Sequence, residues 1–143
     1  MAAEPGRVMG IDYGSRRVGI AVSDPLRIVT RGLGILDNTP ALPGMIAAKA
    51  REEQAVLIVV GMPFAPDGGL GAKGEEVGRF IENLRMHVEV PVETWDESFT
   101  SVEARRTFLD GGMKKRKRQE KGRVDEMAAR LLLQDYLENT HHR

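Results

Sequence analysis

The chain has 143 residues, 41% hydrophobic and 29% charged, and its 21 basic and 21 acidic side chains cancel to a net charge of zero. That length supports one domain with its own core and excludes a pair of lobes. The lack of cysteine excludes a disulfide framework, a thiolate metal site and a cysteine nucleophile.

Val8 to Asp12 is the first expected strand. If Val8, Gly10 and Asp12 share one face, Met9 and Ile11 share the other. The turn "YGSRR" follows, then a second strand, Val18 to Val22, apolar on both faces once Gly19 and Ala21 count as small core residues. Such strands lie in the middle of a sheet. "RIVTRGLGIL" is the third strand, with Gly32 and Gly34 marking a bulge. "ALPGMIAAKAREEQ" suits a helix, and "AVLIVVG" has the Val- and Ile-rich pattern of a buried parallel strand. "MPFAPDGGLGAKG" reads as a loop, Glu75 to Met86 as a helix and "VPVETW" as a strand. A short helix is expected over 100–110 and a long one from Gly122 to Asn139. The order β-β-β-α-β-α-β-α-α implies an α/β fold, a mixed sheet with helices on both faces. A single domain over 1–143 is expected, frayed at 1–6 and 140–143, with a basic flexible loop at 111–122.

Three acids stand out. Asp12 ends the first strand, where its ordinary role is to accept from amides of the turn. Asp96 and Glu97 follow "VPVETW" at the far end of another strand. Sites gather there in open sheets, though acids are also favoured there at the start of a helix. In "RVDEMAARLLLQDYL", positions 125, 128, 129, 132, 133 and 136 fall on one helical face. Five are Ala128, Ala129, Leu132, Leu133 and Tyr136; the sixth is Asp125. A carboxylate on such a stripe is costly unless paired or metal-bound. The alternative is a place in the first turn, near water and the positive helix end. Glu126 is expected to face solvent. Converging carboxylates repel unless cations neutralise them, and Mg2+ or Mn2+ suit oxygen ligands.

"GIDYGSRRVGIAVSD", "VVGMPFAPDGG", "DESFTSVEA" and "KGRVDEMAARLLLQDYL" run in this order from about residue 7 to 138. They resemble the four signature blocks of the YqgF/RuvX family, RuvC-like members of the ribonuclease H-like superfamily. The resemblance implies a ribonuclease H-like fold: a five-stranded mixed sheet, first three strands antiparallel, flanked by helices. It also implies a nuclease using two Mg2+ or Mn2+ ions, acting on pre-16S rRNA or, in the family's other description, on Holliday junctions. Carried over block by block, the family's catalytic and metal-binding acids fall on Asp12, Glu97 and Asp125. The third block departs from the pattern. Relatives usually read Asp-Glu-Arg, a residue and two Thr, where this chain has Ser98 for the Arg and Ser101 for the second Thr. Substrate preference, more than chemistry, is where that change should tell.

"KKRKRQEKGR", residues 114–123, holds seven Lys/Arg against one Glu, a local +6 that leaves −6 on the rest. An acidic body with one dense basic segment suggests an anionic polymer as partner. Lys114, Lys115, Arg116, Lys117, Arg118 and Lys121, with Arg16 and Arg17, are the expected nucleic-acid contacts; a solvated loop is the plain alternative. The expected function is a metal-dependent endonuclease hydrolysing RNA, which processes the 5′ end of pre-16S rRNA as a monomer or homodimer. Alternatives are a Holliday junction resolvase acting on branched DNA, single-stranded DNA as substrate, and a non-catalytic nucleic-acid-binding module. A phosphotransferase of the sugar-kinase or actin type would need a second lobe. "GLGAKG", residues 69–74, fits Gly-x-Gly-x-x-Gly but lies too far beyond its strand for a dinucleotide site. Tyr13 could touch substrate, whereas Trp95 and Tyr136 sit in core patterns. No apolar run approaches the ~20 residues of a membrane span, and "MAAEPGRV" lacks a signal-peptide pattern. A cytoplasmic location is expected.

Overall fold

The structure, a computed structural model, describes residues 6–64, 67–97 and 121–140, with side chains in the last segment from 124 onward. Its elements are β1 (Arg7–Asp12), β2 (Arg17–Ser23), β3 (Thr30–Asp37), α1 (Leu42–Glu53), β4 (Ala55–Met62), α2 (Ala72–Arg85), β5 (Val92–Asp96) and α3 (Lys121–Thr140). The helix expected over 100–110 lies outside the described residues, as does the basic loop up to residue 120.

The five strands form one sheet in the order β3-β2-β1-β4-β5. β1, β2 and β3 pair antiparallel, and β4 lies parallel to β1 and β5 to β4. The parallel strands need crossovers, which α1 and α2 supply.

Alternation along β1 sorts the core. Met9 and Ile11 join Ile58 and Val60 of β4 under α1 and α2, through Ile46, Phe80 and Leu84. Val8 faces the other way, with Ala21, Leu57 and Val59, against Ala129, Leu133 and Tyr136 of α3. Each fully buried aliphatic chain contributes roughly 1.5–3 kcal/mol. This division is the one the period of two predicts.

α3 approaches the sheet closely because glycines face it. A Cβ on Gly10 would lie 2.8 Å from Cβ of Leu133. A Cβ on Gly19 would run into the backbone of Asp125, and one on Gly32 into the side chain of Glu126. At its far end Tyr136 donates to Glu93 Oε1 at 3.0 Å and Trp95 Nε1 to Asp135 Oδ2 at 2.8 Å. The two rings meet edge to face at 5.4 Å. The helix is thus fixed along its length, with β3 on one flank and β5 on the other.

Two boundaries differ from the sequence reading. β3 begins at Thr30 rather than near Arg27, because Asp24 Oδ1 accepts from the amides of Ile28 at 2.7 Å and Val29 at 2.9 Å. Those bonds hold the Asp24 carboxyl below its ordinary range and commit the amides to a turn. The bulge falls as expected: pairing steps from Ile20↔Gly34 to Ala21↔Gly32, skipping Leu33, and Gly34 takes φ +95. α2 starts at Ala72, inside the stretch read as loop. Its apolar stripe of Val77, Phe80, Ile81 and Leu84 outweighs two helical glycines.

Candidate active site

Among the described residues, the buried charged side chains are Asp12, Glu97 and Asp125, at 2%, 6% and 8% exposure. The fold brings them to one face. Asp12 follows Val8 and Gly10 at spacings of two, so it points to the α3 side of β1. Its partner on β2 is Gly19, the residue on which the Asp125 backbone rests. On the other side Ile11 pairs with Val60, so Gly61 comes next on β4 as Asp12 does on β1. A Cβ on Gly61 would strike Oε1 of Glu97 and lie 2.9 Å from its carboxyl carbon. Glu97 therefore folds back from the end of β5 over β4. The acids stand in a row across β4, β1 and β2, and neighbouring strands are about 4.8 Å apart.

The helical position of Asp125 is informative. α3 begins at Lys121 and has no acid in its first turn, so the positive helix end does not account for the burial of Asp125. Arg17 does so in part: its Nε donates to Oδ2 at 3.0 Å. Asp12, Glu97 and Asp125 each make at least one further polar or electrostatic interaction. Among the described residues no group of three or more His, Cys, Asp or Glu side chains is gathered tightly enough to hold a metal ion. Shared faces and adjacent strands are what the fold provides.

Of the expected nucleic-acid contacts, Arg16 is exposed and Arg17 half-buried on Asp125. Lys121 opens α3; Lys114, Lys115, Arg116, Lys117 and Arg118 lie outside the described residues, as does Ser98. Tyr13 turns away from the acids. Its ring packs on Phe80 at 4.7 Å and its hydroxyl donates to Glu76 Oε2 at 2.8 Å. Burial pushes the phenol up from its ordinary range, the Asn38 side chain opposes this, and the Glu76 carboxylate adds to the rise. Glu126 is half-buried over Gly32 rather than turned to solvent, because that glycine leaves room for it. Trp95 and Tyr136 pack as expected. Sequence reasoning missed the Arg17–Asp125 pair; nothing local marks partners 108 residues apart.

A family model described as "RuvX: Holliday junction resolvase" matches residues 6–139. A protein of Roseiflexus sp. (strain RS-1), named "Putative pre-16S rRNA nuclease", is 36% identical over 141 residues, covering 97% of this chain and 99% of its own. One of the same name from Bacteroides thetaiotaomicron is 40% identical over 134 residues, covering 93% and 96%. Among solved structures, T. thermophilus RuvC in complex with Holliday junction substrate matches with a TM-score of 0.54 at 15% identity, covering 93% of this chain and 95% of that one. The Fowlpox virus resolvase with Holliday junction DNA matches at 0.56 and 11%, covering 93% and 97%. At those identities the structural likeness bears on the fold, which is ribonuclease H-like. No helix among the described residues is long and apolar enough to cross a membrane.

Proposed function

The chain belongs to the RuvX family and is a nuclease of ribonuclease H-like fold, and from that premise we propose that it is a divalent-metal-dependent endonuclease cutting RNA, with the 5′ end of pre-16S rRNA as its target. The observation that carries this reading is the row of buried carboxylates, Glu97, Asp12 and Asp125, on one sheet face. Hard oxygen donors of this kind suit Mg2+ or Mn2+, so the residues fit such ions chemically. Asp12, Glu97 and Asp125 are the residues that would hold such ions. When bound, the ions supply an activated water and stabilise the oxygen that leaves phosphorus. The chain's own work is orientation. Gly19 and Gly61 seat the outer acids low on the sheet, and Arg17 offsets charge at Asp125. RNA is favoured over DNA as substrate by the names that the relatives at 36% and 40% identity carry, pre-16S rRNA nucleases.

The test incubates purified protein with labelled RNA, single-stranded DNA and a four-way DNA junction, each with Mg2+, Mn2+ or chelator. Metal-dependent cutting of RNA is expected. Losing an outer-sphere partner of a metal ligand typically costs about 10–100-fold, so Asp12→Asn, which removes a ligand itself, should cost more than about a hundredfold. Its melting temperature should hold, since the amide fills the same space. Cutting of the junction alone would move the function to DNA. Binding without cutting would make the chain a nucleic-acid-binding module, and full activity in Asp12→Asn would remove the acids from the mechanism.

A further inference from the structure

Residues 13–16 join the end of β1 to the start of β2, with a site residue on each side. Asp12 comes directly before them, and Arg17, which donates to Asp125 at 3.0 Å, directly after. The β1–β2 register runs only as far as Asp12↔Gly19, so other contacts must fix the turn. A Cβ on Gly14 would run into the carbonyl oxygen of Arg17, which shows how tightly the turn folds on itself. Asn38, just past β3, holds two of its carbonyls. The Asn38 Nδ2 donates to that of Gly14 at 2.8 Å and its backbone amide to that of Arg16 at 2.9 Å. Glu76 of α2 holds two of its side chains. Its Oε2 accepts from the Tyr13 hydroxyl at 2.8 Å and from Ser15 Oγ at 3.3 Å, while the Tyr13 ring rests on Phe80, one helical turn further along. Hydrogen bonds to an ionised acceptor are roughly twice as strong as neutral ones. Glu76 lies past the first turn of α2, where Glu75 sits, so the positive helix end does not account for its placement.

We infer that Glu76 is a positioning residue for the acid row. By fixing the turn at Tyr13 and Ser15, it sets where Asp12 stands and how far Arg17 reaches towards Asp125. α2 and α3 cover opposite faces of the sheet. A polar chain therefore crosses the end of the sheet, from Glu76 on one face through the turn and Arg17 to Asp125 on the other. Glu76 itself touches neither substrate nor ion. Its effect is on geometry, and a site of this kind needs its groups held within about 0.5 Å by the contacts behind them. The inference rests on the reading of Asp12, Glu97 and Asp125 as an ion site.

The test follows the backbone amides of the full chain by NMR in chelator and then titrates Mn2+, without RNA. In chelator, Glu76→Ala should move the amides of 12–19 and, across the sheet, those of Asp125 and Glu126. Its Mn2+ affinity should fall about three- to tenfold, less than the roughly 10–100-fold that a direct partner of a metal ligand costs. Glu76→Gln keeps an acceptor oxygen for both hydroxyls and should bring the affinity back to within about twofold, the charge alone being lost. Tyr13→Phe with Ser15→Ala removes both donors and leaves a ring on Phe80. That pair should match Glu76→Ala, and adding Glu76→Ala to it should cost nothing further, because the interaction is already gone. Ile81→Val, a buried change further along α2, should lower the melting temperature and leave Mn2+ affinity and the Asp125 amide as they are. A merely structural role would make the Glu76 variants behave like it. With RNA present, kcat should fall in Glu76→Ala and KM should hold. Unmoved amides at Asp125 in a folded Glu76→Ala chain would overturn the inference. So would undiminished Mn2+ affinity in that variant, or a loss that Glu76→Gln shares in full. A parent chain that binds no Mn2+, or binds it equally well as Asp12→Asn, retires the ion-site reading instead; the Asp125 amide in chelator then decides the role of Glu76 by itself.

Discussion

Arg17 donates from Nε to Asp125 Oδ2 at 3.0 Å, with its own side chain 30% exposed and that of Asp125 12%. One partner is wet and the other nearly dry, so the pair is worth more than a surface bridge and less than a sealed one. Replacing Arg17 by Gln should cost about 1 kcal/mol of stability in chelator, near the upper end for exposed pairs. Saturating Mg2+ or Mn2+ should recover part of that loss, because a ligand that binds only the folded state stabilises it. Urea unfolding of both chains with and without metal measures this; an identical gap in both conditions would separate Arg17 from the ion site. All three acids were legible in the sequence. Two close apolar strands, and the third interrupts a helical stripe of Ala128, Ala129, Leu132, Leu133 and Tyr136. The roles of Arg17 and Glu126 were not, since each depends on a residue of another element: Arg17 of β2 on Asp125 of α3, Glu126 of α3 on Gly32 of β3.

Glycine at position 19 sets how low α3 sits at the acid row. An added Cβ would meet the carbonyl oxygen of Asp125 and lie 2.6 Å from its carbon. Backbone cannot swing aside as a side-chain tip can, so Gly19→Ala must lift the helix. The expected cost is about 1–3 kcal/mol, the usual range for overpacking, with loss of cleavage because Asp125 moves with the backbone. Gly78→Ala is the contrasting case. It lies inside α2, and nothing stands within 4 Å of its added Cβ. That change should stabilise by about 0.5–1 kcal/mol through helix propensity and leave cleavage alone. Thermal unfolding and a cleavage assay on both variants decide it; a harmless Gly19→Ala would mean that α3 docks elsewhere. The elements themselves were legible because their apolar periods are clean, as in β4, where only Val56 is exposed among eight residues. The boundaries differ where a side chain or a glycine changes the local outcome, at Asp24 before β3 and at Gly71 to Gly74 across the start of α2. Gly19 of β2 reads as a small core residue, but that it and Gly10 of β1 admit α3 becomes visible only with the strand register.

Across the whole molecule, a zero net charge conceals a +6 segment at 114–123 set against a −6 remainder. The segment runs into α3 at Lys121, one turn ahead of Asp125. Sequence alone shows this asymmetry, because charge needs no fold to be counted; its position relative to the acids follows from where α3 begins. A polyanion approaching the acid row meets a body of its own sign, so the basic segment must supply most of the attraction. Each phosphate neutralised on a single strand contributes about 0.7 to the slope of log affinity against log salt. Converting Lys114, Lys115, Arg116, Lys117 and Arg118 to Gln should therefore flatten that slope by up to about 3.5 if all five engage phosphate. Arg16→Gln, a single exposed cation, should change it by less than about 1. Filter binding of labelled RNA between low and physiological salt reads both. If the five cations serve only to hold the strand, catalysis should fall with binding at low substrate and recover at saturation. A slope unchanged in the five-residue variant would place the electrostatic contact elsewhere, and Arg16 with the cations of the helices would then be the surface to vary.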